Sequence, residues 1–270
     1  MSDYRHLRVE VEGSVAHVVL ARPPVNAVNQ ELYEEIHAAF SSVADLGGPI
    51  KAVILSGDGK HFCAGNDLVE FGTLDPANAP SRMLTVRRAF WAIYDCPVPV
   101  LAAVHGAALG TGLALAASCD FIVAARGARF GLPEVGVGVM GGASHVRRLV
   151  PEPVARWMFL SGEPAPLDTL VALGAVLEVV EPERLLGVAR QKAALLTRHS
   201  AVALRIGKRA LNETEGADLK PGYEFEQGRT GDLSGYEDSV EARRAALEQR
   251  KPRYQDSQKE ADLAARRPFR

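Results

Sequence analysis

Hydrophobic and polar residues change their spacing along the chain, and these changes predict strands that alternate with helices. Residues 7–11 and 15–21 alternate around a glycine, which predicts a hairpin, and residues 29–46 carry apolar side chains at helical spacing behind a capping asparagine. Apolar runs and helical patterns then follow in turn: runs at 52–55, 98–104 and 121–125, helices at 80–94 and 112–118. Short apolar runs between helices are typical of strands covered on both faces, so we expect a layered α/β fold.

The second half of the chain is mainly helical. Helical patterns lie near 153–161, 166–173, 182–198 and 200–213, with a short apolar stretch at 176–180. Residues 221–270 are polar and charged. An α/β core followed by a helical region is therefore expected.

The composition of the chain argues against some classes of binding partner and of stabilising site. The chain has 270 residues, 47% of them hydrophobic and 24% charged, and a net charge of −2, so no basic field favours binding to nucleic acid. Its three cysteines form no CxxC pair and have no histidine at ligand spacing, which predicts neither a disulfide framework nor a metal site.

The N-terminal residues and the longest apolar stretch bear on location. Residues 1–13 are charged and lead directly into a strand pattern, so we expect no cleaved leader and a cytoplasmic protein. Residues 98–118 are long enough to cross a bilayer, but His105 and several glycines interrupt them. We interpret them as a buried strand, a glycine loop and a buried helix, with no membrane partner.

Two familiar motifs carry little weight here. Residues 136–141 match GxGxxG, but they follow a turn-like segment rather than a first strand, so they do not predict a dinucleotide site. Their glycines more often allow the backbone to make a tight turn or a close approach. No GxSxG is present, and the neighbours Ser144 and His145 do not constitute a catalytic triad.

Two glycine-containing turns follow predicted strands, FCAGNDL at 62–68 and HGAALGTG at 105–112. A turn of small residues that leads into a helix leaves backbone N–H groups unpaired, and such groups stabilise a developing negative charge. Together the turns predict an oxyanion hole. For either turn alone, close packing of a helix on a sheet is the simpler interpretation.

Five motifs occur in order along the chain: RPPVNAV at 22–28, FCAGNDL at 62–68, residues 104–117 with Cys119-Asp120, FGLPE at 130–134 followed by Gly141-Gly142, and EQRKP at 248–252. In this order and at these intervals the chain resembles the enoyl-CoA hydratase/isomerase (crotonase) superfamily. The resemblance implies a spiral core of ββα turns over residues 1–197 and a helical trimerisation region over 198–270. It also implies a homotrimer, often doubled to a hexamer.

The same resemblance implies an acyl-CoA thioester substrate, with coenzyme A as part of the substrate and no separate cofactor. Carried over by position, the two oxyanion donors are the backbone N–H groups of Asn66 and Thr111, and Thr111 stands where glycine is usual. Residues expected to bind coenzyme A and the acyl group include Lys251, from the same or a neighbouring subunit, and the following: Pro24, Val25, Ala27, Ala64, Gly65, Asp67, Leu68 and Gly110.

The acid–base residues distinguish between reactions of this superfamily. In its hydratases two glutamates act around one water molecule, whereas here the corresponding positions are Ala114 and Glu134. A methyl group accepts no proton, so Glu134 is the only candidate base at these two positions. The arrangement resembles Δ3,Δ2-enoyl-CoA isomerases, in which one glutamate removes a proton from C2 and returns it at C4.

Other functions remain open from the sequence. A hydratase in which Glu134 activates water, alone or helped by a group such as His145, is one alternative. A decarboxylase or lyase of the same superfamily is another. The third belongs to a different class, a non-catalytic protein that only binds coenzyme A esters.

Overall fold

The structure is a computed structural model that describes residues 4–46 and 48–255. The strands of the described chain are β1 (Leu7–Glu12), β2 (Val15–Leu20), β3 (Ala52–Gly57), β4 (Val100–Val104), β5 (Ala107–Leu109), β6 (Phe121–Ala125), β7 (Arg129–Gly131) and β8 (Glu178–Val180). The α-helices of this part are α1 (Gln30–Ser41), α2 (Leu68–Phe71), α3 (Ala79–Tyr94), α4 (Thr111–Ser118), α5 (Ala143–Val146), α6 (Glu152–Ser161), α7 (Leu167–Ala172), α8 (Leu185–Leu196), α9 (Ala201–Thr214), α10 (Leu219–Ser234) and α11 (Glu237–Leu247). Short 3-10 helices span Val43–Leu46, Pro133–Val137 and Pro182–Arg184.

A six-stranded sheet in the order β1-β2-β3-β4-β6-β8 forms the centre of the fold. The β1–β2 hairpin is antiparallel, and every other neighbouring pair in this sheet is parallel. Strands β5 and β7 form a second, parallel pair beside it. Since the carboxyl ends of parallel strands share one edge, the loops after β3 and β4 emerge on the same side of the fold.

The apolar runs of the sheet face two cores. Along β3, Val53 and Leu55 belong to the larger core, which includes α1 and α3, while Ala52 and Ile54 belong to a smaller core formed with α8. Strands β4 and β6 alternate in the same way. Successive side chains of a strand point to opposite faces of the sheet, so a strand whose two faces are both buried has apolar residues at every position. The expected mixed α/β fold is confirmed.

The predicted elements coincide with observed ones to within a few residues. The helix expected at 29–46 ends at Ser41 and continues as a separate 3-10 turn, and the segment at 182–198 is likewise divided into a 3-10 turn and α8. Backbone pairing reveals two short strands, β5 inside the second glycine turn and β7 in the segment before residue 136 that the sequence predicted to be turn-like. The polar region from 221 onward contains most of α10 and all of α11, which periodicity did not indicate.

The C-terminal helices follow the core at the expected place. Helix α8 ends at Leu196 and α9 begins at Ala201, so the predicted boundary between 197 and 198 falls in their connection. Lys208 of α9 is buried and forms an ion pair with Asp120, with Nζ and Oδ2 2.8 Å apart. Residues 256–270 of the predicted helical region lie outside the described residues, and the division into two parts stays a prediction.

Candidate active site

The two glycine turns lie side by side at the edge of the sheet. The Cys63 N–H donates to the Ala107 carbonyl over 2.9 Å, and the Leu109 N–H donates to the Cys63 carbonyl over 3.1 Å. A Cβ at position 112 would collide with the Cys63 carbonyl, so Gly112 is needed where α4 passes this close to the first turn. The packing interpretation is therefore observed, and the oxyanion interpretation stays a prediction that this packing does not contradict.

The amides of Asn66 and Thr111 occupy the tips of these turns. Asn66 forms a bridge with Val28, but the bonds of that bridge use its neighbours: Val28 donates to the Gly65 carbonyl, and Asp67 donates to the Val28 carbonyl. The Asn66 N–H thus stays outside the bridge. Thr111 is the first residue of α4, where a helical N–H has no intrahelical acceptor. Two amides are available for an anionic oxygen, and their oxyanion role stays a prediction.

A tyrosine that sequence reasoning missed joins the side chains of these two residues. Tyr33 lies in the first turns of α1 and is only 1% exposed. Its hydroxyl donates to Asn66 Oδ1 over 2.6 Å and lies 2.9 Å from Thr111 Oγ1. Burial raises the pKa of this hydroxyl, which keeps it protonated. In the sequence, Tyr33 is simply one of the apolar positions that predict α1.

Glu134 lies in the 3-10 helix Pro133–Val137 and is 6% exposed. Among the described residues, its buried Oε2 atom has no hydrogen-bond partner. Loss of solvation raises the pKa of Glu134 from 4.5 to about 7. Such a carboxyl group can both accept and return a proton near neutral pH.

The Glu134 carboxyl lies beside the tip of the second turn. A Cβ built on Gly110 would lie 3.2 Å from Glu134 Oε1, and Gly110 has a φ of 53° and a ψ of −119°, a combination that essentially only glycine adopts. A Cβ on Gly142 would lie 3.6 Å from the same oxygen and 3.3 Å from the Ala114 methyl. Glu134 thus lies against the turn that carries the Thr111 amide, and both Glu134 and Ala114 lie close to Gly142.

The residues predicted to bind coenzyme A form a second group around residues 22–28. The Val25 carbonyl accepts from the Ala64 N–H over 3.1 Å, which joins this turn to the first glycine turn. Pro24 and Leu68 are exposed at the rim, whereas Ala27 is half-buried. The structure brings these residues together, and their contacts with a substrate stay predictions.

Asp67 has a structural role that its motif did not indicate. Its carboxylate accepts from the Val69 and Glu70 amides at the start of α2 and from the Arg22 guanidinium over 2.6 Å. The Glu70 amide and Arg22 together hold the pKa of Asp67 below its usual range. Internal partners therefore surround this carboxylate, and it fixes the shape of the turn.

Asn26 is a further residue whose role the sequence did not show. It is 1% exposed, has a left-handed φ of 54°, and accepts the Arg22 N–H at Oδ1. Its Nδ2 donates to the carbonyls of Asp58, His61 and Phe62. One side chain thus holds the 22–28 turn against the loop after β3.

Lys251 does not join this group within one chain. The segment that contains Lys251 folds back on α11, where the Arg253 N–H donates to Glu241. Tyr254, three residues after Lys251, lies beneath the Lys51 ammonium. Lys51 immediately precedes β3, at the opposite edge of the sheet from the glycine turns. A contact between Lys251 and coenzyme A would require a neighbouring subunit.

His145 lies on α5, with its ring centroid 5.0 Å from that of Phe90. Ser118 uses its hydroxyl proton to donate to the Ala114 carbonyl, so its oxygen accepts from His145 Nδ1, 3.2 Å away. Burial lowers the pKa of His145 and favours the neutral ring. The ring is therefore protonated at Nδ1, and Nε2 is the acceptor.

The model of the enoyl-CoA hydratase/isomerase family matches residues 10–258, which is most of the chain. The chain belongs to this family. It is 33% identical to a short-chain-enoyl-CoA hydratase of Clostridium acetobutylicum over 90% of this chain and 95% of the relative. It is 36% identical, over 88% and 93%, to a Rhodococcus jostii (7aS)-7a-methyl-1,5-dioxo-2,3,5,6,7,7a-hexahydro-1H-indene-carboxyl-CoA hydrolase.

A solved structure supports the same assignment. An enoyl-CoA hydratase subunit of Geobacillus kaustophilus superposes with a TM-score of 0.87 at 33% identity and covers 95% of this chain and 100% of its own. The crotonase-like fold expected from the motifs is confirmed, and the protein is an enzyme of the enoyl-CoA hydratase/isomerase family. An acyl-CoA substrate is consistent with the hydratases among its relatives. In the described residues no helix is both long and apolar enough to cross a membrane.

Proposed function

We propose that the protein is an acyl-CoA double-bond isomerase that converts a 3-enoyl thioester into the 2-enoyl thioester. The observation that carries this proposal is the buried carboxyl group of Glu134 next to Gly110 and Gly142, where residue 114 contributes a methyl group instead of a second carboxylate. Double-bond migration needs one group that removes and then returns a proton. Hydration by two glutamates needs a second carboxylate where this chain has only a methyl group.

In the proposed reaction the ionised Glu134 removes a proton from C2 of the 3-enoyl thioester. The electron pair of the broken C–H bond moves into a dienolate, whose oxygen accepts hydrogen bonds from the Asn66 and Thr111 amides. A donor so placed is worth about 2.7–4 kcal/mol in a transition state. The protonated Glu134 then delivers the same proton to C4, so that the double bond lies between C2 and C3 and the enzyme is unchanged.

The environment of Glu134 suits both half-reactions. A carboxyl group with a pKa of about 7 is a stronger base than an exposed glutamate, yet still donates readily to a carbanion. The ionised form begins the reaction, so kcat/KM should fall about tenfold per pH unit below pH 7 and level off above it.

The direct test is an assay of purified protein with 3-enoyl-CoA, comparing wild type with Glu134→Gln. We expect the variant to lose about 10²–10⁴-fold in kcat, the usual contribution of a general base, while still binding the thioester. Deuterium from D₂O in the recovered 2-enoyl product should appear at C4 only to the extent that the carboxyl exchanges with solvent. Wild-type turnover by Glu134→Gln contradicts the proposal.

Hydration of a 2-enoyl thioester is a second candidate, because the Clostridium and Geobacillus proteins are named hydratases. In that reaction Glu134 would activate water, alone or with the help of a group such as His145. Incorporation of ¹⁸O from labelled water at C3 of 2-enoyl-CoA favours hydration over isomerisation, and its loss in His145→Phe would assign the helping role to His145. Binding of CoA esters without turnover of any 3-enoyl, 2-enoyl or malonyl-type thioester favours a non-catalytic role.

Membership of the family also supports proposals for the number of subunits and for the cellular location of the protein. We propose a homotrimer, or two trimers forming a hexamer, in which the C-terminal helices make the contacts, and a cytoplasmic protein without a separate cofactor. Light scattering coupled to size-exclusion chromatography measures the number of subunits. If Lys251 acts from a neighbouring subunit, Lys251→Ala should raise KM for acyl-CoA without changing the assembly.

A further inference from the structure

The side chains at positions 33, 66 and 111 form one hydrogen-bonded chain whose direction follows from counting protons. Asn66 Oδ1 is only an acceptor, so the single hydroxyl proton of Tyr33 points to Asn66. The Tyr33 oxygen must then accept the proton of the Thr111 hydroxyl, 2.9 Å away. The chain runs from Thr111 through Tyr33 to Asn66 without an unsatisfied member.

This chain joins the two turn tips at the residues whose amides are the candidate oxyanion donors. The backbone hydrogen bonds between the turns join Phe62 to His105 and Cys63 to Ala107 and Leu109, nearer the bases of the turns. Tyr33 comes from a third element, α1, so its hydroxyl is a cross-link from outside both turns.

Tyr33 is itself firmly held. Its ring packs edge-on against Phe90 of α3, with centroids 6.0 Å apart, and it belongs to the larger hydrophobic core. The start of α1 is also attached to the region after the first turn, because the Gln30 N–H donates to Glu70 Oε1 over 2.9 Å. A hydroxyl carried on such a rigid base can set the positions of the groups bound to it.

We propose that Tyr33 is a positioning residue of the active site, whose hydroxyl sets the spacing and orientation of the Asn66 and Thr111 amides through their side chains. The proposal rests on the proposed function insofar as those amides bind a thioester oxygen. It also explains how Thr111 can occupy a position where glycine is usual: its hydroxyl takes part in the cross-link.

The test uses Tyr33→Phe, which keeps the ring on Phe90 and removes only the hydroxyl. We expect kcat for 3-enoyl-CoA to fall about 10–100-fold, since small displacements of positioned groups have effects of this size, with KM changed less than about threefold. Thr111→Val should lose kcat similarly, Thr111→Ser should retain most of it, and the double variant Tyr33→Phe/Thr111→Val should lose little more than either.

A spectroscopic readout reports on the amides without turnover. In 4-(dimethylamino)cinnamoyl-CoA the amino group is conjugated to the thioester carbonyl, so hydrogen bonds to the carbonyl oxygen shift its absorption to longer wavelength. The bound probe should show this shift in wild type and in Glu134→Gln, and a smaller shift in Tyr33→Phe. Failure of the Glu134 mechanism is thereby distinguished from failure of the Tyr33 proposal.

The matched control is Tyr94→Phe, the same chemical change at a tyrosine whose hydroxyl bonds Glu215 Oε2 over 2.6 Å, away from the turns. It should leave kcat and the probe spectrum unchanged. Wild-type kcat and probe shift in Tyr33→Phe, with only a loss of stability, would mean that the hydroxyl is structural and overturn the proposal. No shift in wild type would overturn it together with the oxyanion site.

Discussion

Replacing Glu134 by glutamine should change the stability of the protein in a pH-dependent way. Burial raises the pKa of Glu134 from 4.5 to about 7, so the folded protein binds this proton more tightly than the unfolded chain. The associated stability is fully present below pH 4.5 and is lost as the pH rises to about 7. The pKa of Glu134 in the folded protein lies about 2.5 above its ordinary value, and at 1.36 kcal/mol for each pKa unit this difference corresponds to about 3 kcal/mol of stability. Glutamine does not titrate, so Glu134→Gln escapes this loss.

The measurement is the free energy of unfolding in urea of both proteins at pH 5, 6, 7 and 8, at one fixed protein concentration. From pH 5 to pH 8 the free energy of unfolding of the variant, relative to that of wild type, should increase by most of that ~3 kcal/mol. An unpartnered amide costs about 1–3 kcal/mol, but this offset is the same at every pH and cancels from the trend. Glu163→Gln is the matched control, because solvent surrounds Glu163 in folded and unfolded chains alike.

A difference between Glu134→Gln and wild type that stays constant from pH 5 to 8 would refute the reasoning. It would mean that the folded protein does not hold this carboxyl group in a desolvated state. A trend of the opposite sign would mean that a cation stabilises the ionised form. Either result would also remove the physical basis for a base that is active near neutral pH.

Three further predictions concern the surroundings of the site. Gly110→Ala places a Cβ against Glu134 and on a backbone conformation reserved for glycine, so we expect a loss of about 1–3 kcal/mol by urea unfolding and at least tenfold in kcat. Asn26→Ala removes the donors to three carbonyls, and it should raise KM for acyl-CoA more than it lowers kcat in steady-state assays. Lys208→Met removes the cationic partner of the half-buried Asp120 carboxylate, and it should cost about 1–3 kcal/mol by urea unfolding with little change in KM.

Much of the fold could be predicted because burial imposes period and length. A short apolar run such as 98–104, bounded by a helical pattern and a glycine loop, favours a buried strand by its length, and β4 lies there. The hydrophobic pattern did not indicate helix α10, which only the family resemblance placed in a helical region, for the opposite reason. Leu219 and Tyr223 are exposed on it, and glycines interrupt its pattern, so no apolar stripe marks it in the sequence.

The candidate site likewise contains residues that the sequence predicted and residues that only the structure reveals. Glu134 and the turns carrying Asn66 and Thr111 belong to short motifs, so sequence alone placed them in one hypothesis, and the structure brings them together. Tyr33 and Asn26 act through partners that are distant in sequence or through backbone carbonyls. No local pattern records such contacts, and only the folded chain reveals them.

The Lys208–Asp120 ion pair has a consequence for how the two ends of the molecule communicate. Asp120 also accepts the Val100 N–H, and Lys208 also donates to the Val98 carbonyl, so α9 is bonded directly to the start of β4. The far end of β4 leads into the turn that carries Thr111. A displacement of α9 would therefore act directly on the strand that leads to the Thr111 turn.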